Sequence, residues 1–339
     1  MQINKNELLK AIKYLDLIVD KKSSGIGSSI YFDTKNIIAS NNGMLLSYPF
    51  ITDFKCFISP EKIIKYLEKI KQEEIDIIYE NDILTLKDKK TELILKTFVN
   101  IKDIIELKEV IDWKELPDNF FKGLKYSMYS STNEIYTGRD FIGYILFKDN
   151  KVFSTNNRKL SEYTFDNIIG DFSIYNNIIL ILLKIPDIIN YCLLEDKIIF
   201  KTKDNLIIYC EIKNIDFPKY ENILALRKEN IEIDFLDCLI ESLDFCEILN
   251  QDLEYDDKKI NFEINKNKLL IYTETIEGKI KYEYDLKKEY KENISFILNP
   301  ILLSEIIKQK DFKCYYDLQE KIYFMNDKYR FVCMIKKGE

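Results

Sequence analysis

The stretch Lys151-Val-Phe-Ser-Thr-Asn-Asn-Arg-Lys-Leu-Ser-Glu-Tyr163 reads as a short apolar strand that enters a polar corner at Thr155 and leaves it through Leu160. A second stretch of the same design, Asn36-Ile-Ile-Ala-Ser-Asn-Asn-Gly-Met-Leu-Leu-Ser-Tyr48, ends 115 positions earlier. In it Ser40, Asn41, Asn42, Leu45 and Tyr48 stand where Thr155, Asn156, Asn157, Leu160 and Tyr163 stand in the first. One structural unit therefore occurs at least twice, and 339 residues leave room for a third copy.

Outward from these corners the same order of elements recurs. A chain of this length exceeds what one hydrophobic core usually supports, and the repeat predicts three domains, over 1–110, 111–222 and 223–339. In the first, Asn6 is predicted to cap a helix from Glu7 to Val19 with Leu8, Ala11, Ile12, Leu15 and Ile18 on one face. Strands are expected at 30–33, 36–40, 44–48 and 54–58, a helix at 61–71 opened by Ser59-Pro60, then strands at 75–79, 83–87 and 92–98. The second runs from Leu116-Pro117 into a helix ending near Tyr129, strands at 141–147, 151–155 and 160–165, and an apolar helix from Tyr175 to Tyr191 interrupted by Pro186. A hairpin around Asp204-Asn205 and a linker at Asp216-Phe-Pro-Lys-Tyr220 follow. The third has a helix at 234–249, three strands over 260–285, a helix at 301–309 headed by Asn299-Pro300, and three strands over 312–335.

Composition narrows the function classes. There is no histidine, no phosphate-cradling glycine-lysine loop, no nucleophile elbow and no Cys/Asp/Glu cluster at ligand spacing, so an enzyme is not expected and neither is a metal or other cofactor. A catalytic pair of carboxylates remains open on composition alone, because the chain has 57 acidic residues. Seven cysteines (56, 192, 210, 238, 246, 314 and 333) fall in apolar runs without a C-x-x-C pair, which predicts buried, reduced thiols and a cytoplasmic protein. The polar opening and the lack of an apolar run of about 18 residues predict neither a signal peptide nor a membrane span. The formal charge of -7 argues against tight wrapping on nucleic acid, and most of the acidic excess, 24 against 19 basic residues, lies in residues 223–339.

With the third repeat in view the sequence resembles the bacterial DNA polymerase III beta subunit, the sliding clamp. The residues that carry the likeness are Leu116-Pro117, the corner Thr155-Asn-Asn-Arg-Lys-Leu160, Phe217-Pro-Lys-Tyr-Glu-Asn-Ile-Leu224, Asn299-Pro-Ile-Leu-Leu-Ser-Glu-Ile-Ile307 and Tyr329-Arg-Phe-Val-Cys-Met334. They stand where the family has a Leu-Pro opening, a Thr-Asp-Gly-His-Arg-Leu corner, a Phe-Pro-Asp-Tyr linker and a last strand ending Val-Val-Met, and they run in order along the whole chain. What the resemblance implies is an α+β fold of three clamp-type domains, each with two helices packed on antiparallel sheets. Two such chains would close head to tail into a homodimeric ring that slides on duplex DNA without reading its sequence. The implied role is that of a processivity factor, holding the replicative polymerase and the clamp loader through short linear peptides, with no membrane partner.

The resemblance also assigns sites. A partner-peptide cleft would comprise Ile142, Thr155, Asn157, Arg158, Lys159, Leu160, Ala225, Val332 and Met334, with Ile142, Leu160, Val332 and Met334 as its apolar floor. Asn157-Arg158 stands for the family's Gly-His and Ala225 for a Pro, which predicts a narrower cleft. DNA-facing lysines would be Lys10, Lys13, Lys21, Lys22, Lys62, Lys65, Lys69, Lys122, Lys125 and Lys308, several at helical three-four spacing. Leu93 and Leu95 on one side with Ile248 and Leu249 on the other would form the ring joint. Each set has a plainer reading as well: lysines on the wet face of any helix, and leucines, valine and methionine as strand core. The acidic residues Asp234, Asp237, Glu241, Asp244 and Glu247 on the predicted third-domain helix keep an alternative open, a clamp-shaped binding module or decoy that does not encircle DNA.

Overall fold

The computed structural model describes residues 1–22, 26–41, 43–98, 112–132, 139, 141–234, 236–253, 258–307, 312–318 and 321–335. In chain order the elements begin β1 (Gln2–Asn4), α1 (Lys5–Asp16), β2 (Ile30–Asp33), β3 (Asn36–Asn41), β4 (Met44–Pro49), β5 (Lys55–Ile58), α2 (Pro60–Lys69), β6 (Glu74–Glu80), β7 (Ile83–Lys87) and β8 (Glu92–Lys96). They continue β9 (Lys114–Glu115), α3 (Phe120–Met128), β10 (Tyr144–Lys148), β11 (Lys151–Thr155), β12 (Lys159–Thr164), β13 (Phe172–Tyr175), α4 (Asn176–Leu182), β14 (Ile188–Leu193), β15 (Lys197–Thr202) and β16 (Ile207–Glu211). The last stretch is α5 (Glu221–Leu224), β17 (Ile231–Ile233), α6 (Leu236–Asn250), β18 (Ile260–Asn265), β19 (Lys268–Thr275), β20 (Gly278–Asp285), β21 (Ile294–Leu298), α7 (Pro300–Ile307), β22 (Lys313–Asp317), β23 (Lys321–Met325) and β24 (Tyr329–Met334).

The chain divides into two compact units, Met1–Phe121 with Phe172–Asn214, and Lys122–Asp171 with Ile215–Glu339. In the first, an antiparallel sheet runs β5-β2-β3-β4-β16-β15-β14-β9 and a smaller one β1-β6-β7-β8. Helix α1 buries Leu8, Ala11, Ile12 and Leu15 and packs on β3, β4 and α2. In the second unit, β10, β11, β12, β24, β23, β22 and β17 follow one another in a sheet, and β20-β19-β18-β21 form another, on which α6 lies. The two matching stretches fold alike. Hairpin β3–β4 places Leu46 opposite Ile208 of β16, and hairpin β11–β12 places Leu160 opposite Val332 of β24.

Several expectations need correcting. Asn4, two residues before Asn6, caps α1: its side chain accepts from the Asn6 and Glu7 amides at 2.9 and 3.1 Å. The helix predicted over 175–191 is helical only at Asn176–Leu182. Phe172–Tyr175 before it is strand, and beyond Pro186 the chain turns through Asp187 at φ +55° into strand β14, paired with β15. Apolar residues over 175–191 fall on buried and exposed positions alike, Leu180 and Ile189 being exposed, so no period separates helix from strand, and Pro186 forbids continuing the helix. Helix α3 starts at Phe120, three residues after Pro117, and Phe141–Gly143 form a turn before β10. Strands β1, β9, β17 and β21 and the short α5 were not expected, being too brief or irregular for a periodic signal.

Cys56, Cys192, Cys210, Cys246, Cys314 and Cys333 are buried and free, as their apolar settings predict. Among the described residues no helix is long and apolar enough to cross a membrane, and no group of three metal-ligating side chains comes together.

Candidate peptide-binding cleft and basic helix faces

The corner between β11 and β12 is held by its own side chains. Asn156 Oδ1 accepts from the Arg158 and Lys159 amides at 3.1 and 2.9 Å, and Thr155 Oγ1 donates to the Lys159 carbonyl at 2.7 Å. Asn157 sits at φ +70°, where a Cβ costs energy and asparagine is tolerated best after glycine. Asn157→Gly is therefore expected to leave thermal stability unchanged or slightly raised, while Asn157→Val should lower it by about 1–2 kcal/mol, read from the denaturant midpoint.

Beside this corner lies a pocket of about 150 Å³ lined by Thr155, Asn157, Arg158, Lys159, Leu160, Phe217, Pro218, Tyr220, Ile223, Lys321, Val332 and Met334. Leu160 and Val332, paired across β12 and β24, form its floor and belong to a buried cluster with Phe153, Tyr220, Leu224 and Tyr323. They thus belong to the core and line the pocket at once. Met334 is 54 % exposed at the end of β24, and its amide donates to the Arg158 carbonyl at 2.8 Å, which ties the strand end to the corner. The Tyr220 ring packs tilted against Phe153 with centroids 4.1 Å apart, and burial pushes its phenol well above the ordinary range.

Seven of the nine cleft residues anticipated from the sequence come together here. Two do not: Ile142 is buried outside the lining, and Ala225 is the exposed residue that ends α5. Phe217, Pro218, Tyr220, Ile223 and Lys321 complete the wall. The first four lie in or beside the Phe-Pro-Lys-Tyr linker, whose two aromatics in an otherwise polar segment were an available signal. Lys321 had none.

On α1, on α2 and in the turn after α1 the candidate lysines are exposed, but four are matched by acids. Lys10 pairs with Asp204, and that hydrogen bond raises its pKa; Lys13 lies 2.7 Å from Glu68, Lys21 3.3 Å from Asp16 and Lys65 2.5 Å from Glu61. Lys22, Lys62 and Lys69 make no ion pair among the described residues. In the second unit Lys122 stands 5.7 Å over the Tyr126 ring and Lys125 is exposed on the same helix. Lys308 lies outside the described residues. Exposed pairs of this kind contribute at most about 1 kcal/mol, so a phosphate can compete for these ammonium groups.

Leu93 and Leu95 are half-buried on β8, the outer strand of its sheet, opposite Leu86 and Leu84, while Ile94 on the other face is exposed. In the second unit Ile248 is 64 % exposed and Leu249 half-buried on α6, beside exposed Phe245, whose ring stacks on Tyr282 of the outer strand β20. Glu241, Asp244 and Glu247 of α6 are exposed as well.

No family model and no curated protein sequence matches the chain. Solved structures do. The DNA polymerase III subunit beta of Pseudomonas aeruginosa superposes over 100 % of both chains with a TM-score of 0.82 at 15 % identity. The sliding clamp of Bartonella birtlesii, solved bound to griselimycin, gives 0.84 over 100 % of this chain and 99 % of that one at 14 % identity. The Helicobacter pylori beta clamp, solved bound to a DNA ligase peptide, gives 0.79 over 100 % of both at 18 % identity. The chain has the sliding-clamp fold.

At such low identity the clamp fold is kept by pattern instead of by residue. The Asn157 corner is an instance: the resemblance has Gly there, and the left-handed backbone at φ +70° is taken in this chain by the residue type that comes next in tolerance. The pocket has an apolar floor at Leu160 and Val332, and Asn157 and Arg158 in its wall stand where the resemblance has Gly and His.

Proposed function

We propose that this chain is a DNA polymerase processivity factor of the cytoplasm. Two copies close head to tail around duplex DNA, and each tethers the replicative polymerase, the clamp loader and other partners through short peptides seated in the Leu160/Val332 pocket. The observation that carries this reading is the whole-length likeness to sliding clamps, one of them holding a DNA ligase peptide, combined with an apolar pocket where the resemblance places the peptide cleft. Three domains over 1–110, 111–222 and 223–339 are part of the proposal, as is a ring joint that uses Leu93 and Leu95 with Ile248 and Leu249. The role asks for no bond-making chemistry: retention by topology, sliding on phosphates and peptide capture are binding functions.

Light scattering across a dilution series tests the ring. The expected mass is twice the 40.5 kDa chain, persisting on dilution, because a joint that keeps a ring closed buries well over about 1,000 Å². A monomer at all concentrations would overturn it. Retention on closed circular DNA, with loss on linearising it, is the expected sign of encirclement. Lys62→Gln, Lys65→Gln and Lys69→Gln together should weaken DNA association and lower the slope of log K against log salt by roughly 3. Unchanged retention would remove these lysines from the DNA-facing set.

The exposed acids of α6 favour a second reading, a clamp-shaped binding module that does not encircle DNA. It predicts peptide binding with no difference between circular and linear DNA.

A further inference from the structure

The pocket at the β11–β12 corner has a charge opposite to that of the chain. The sequence holds 57 acidic residues against 50 basic ones, yet among the described residues the lining includes Arg158, Lys159 and Lys321 and no carboxylate. The three cations are placed by backbone pairing. Lys159 lies opposite Cys333 and Lys321 opposite Met334, while the Met334 amide donates to the Arg158 carbonyl. Arg158, Met334 and Lys321 therefore stand side by side on three neighbouring segments. The backbone positions of Arg158 and Lys321 are two inter-strand steps apart, about 10 Å, with Met334 between them. Neither Arg158 nor Lys321 makes an ion pair among the described residues, so no described carboxylate neutralises them.

We propose that the pocket selects an acidic peptide: a segment whose apolar side chains enter over Leu160, Val332 and Met334 and whose flanking Asp or Glu residues meet Arg158 and Lys321. This inference rests on the peptide-docking role proposed above and adds the chemistry of the partner. The apolar floor favours a peptide over a nucleic acid, which would meet the cations and leave the floor unfilled. Rim charges of this kind act mainly on encounter rate and on choice between partners, and a neutral competitor would leave both cations without a counter-charge.

The test uses the full chain and two labelled synthetic peptides with one Leu-Leu-Phe core, flanked on both sides by aspartates in one and asparagines in the other. Fluorescence anisotropy at about 0.1 M salt is expected to show the acidic peptide binding several-fold more tightly, about 3- to 20-fold for two cations. The advantage should shrink at about 1 M, where the screening length falls from roughly 10 Å to roughly 3 Å. In the Arg158→Gln, Lys321→Gln double variant it should vanish, the two peptides then binding with equal affinity. Both side chains are at the pocket mouth, and circular dichroism checks that the variant folds. Equal affinities for the two peptides would overturn the charge selection and leave peptide docking standing. No binding of either at millimolar concentration would overturn both. A labelled oligothymidylate that binds in the same rim-dependent way and displaces the peptides would assign the cations to nucleic acid and overturn the proposal.

Discussion

Phe153→Ala is expected to lower the unfolding free energy by about 3–5 kcal/mol, the usual cost of removing a buried aromatic ring. Phe153 is fully buried on β11, touches the Tyr220 ring, and shares one cluster with Leu160, Leu224, Tyr323 and Val332. Its loss opens a void beneath the pocket floor that neighbours on paired strands can fill only in part. The same variant should therefore lose peptide binding even under conditions where it remains folded. Met334→Ala gives the contrast: with Met334 half in solvent, stability should change by less than about 1 kcal/mol while affinity falls. Urea denaturation and peptide anisotropy on both variants separate the two effects. A Phe153→Ala midpoint equal to that of the parent would mean that the cluster is not the core of this region.

The second large effect is alkaline unfolding. Burial raises Cys56 and Cys333 from the ordinary 9.0 to about 12 and Cys246 to about 11, and it lifts Cys210 and Cys314 well above the ordinary range. A thiol whose folded pKa lies above its unfolded one contributes stability that is whole below about pH 9 and is lost as pH rises towards the folded value, because only the unfolded chain can release the proton. Each such thiol removes about 1.4 kcal/mol per pH unit in that window, and five together remove about 7. Against a typical stability of 5–15 kcal/mol, cooperative unfolding is expected between about pH 10 and 11. Buried tyrosines such as Tyr329, also raised by desolvation, add to the slope at higher pH. Circular dichroism against pH, with reductant present, checks this. Cys210→Ala should move the transition upward relative to its own neutral-pH stability, and full structure retained at pH 11.5 would contradict the account.

What could be read beforehand follows a physical division. The paired corners at 40–45 and 155–160 were legible because strand, turn and strand are set by side chains a few positions apart. Asn156 folds back on the Arg158 and Lys159 amides, and Asn157 tolerates the left-handed turn. The face of α1 was legible for the same reason, since Leu8, Ala11, Ile12 and Leu15 recur at helical spacing and are all buried. Its cap was misplaced by two residues, because Asn4 and Asn6 are equally able caps and the pairing of β1 with β6 decides where the helix begins. The apolar run over 175–191 failed for want of any period.

Of the cleft, the corner residues and the Val332 and Met334 positions were readable through the family pattern, but their composition as a site was not. Leu160 meets Val332, and Lys321 stands beside Met334 and Arg158, only because β12, β24 and β23 are neighbours in one sheet. Lys10, read as an open cation on a helix face, is matched by Asp204 from a hairpin turn almost two hundred residues away. The sequence by itself determined local backbone choices, the repeat and the apolar faces, since those energies depend on residues within a turn or a strand of one another. The tertiary structure alone decided which charges are spent and which stay open around the pocket, because that depends on side chains brought together when distant strands bury their common core.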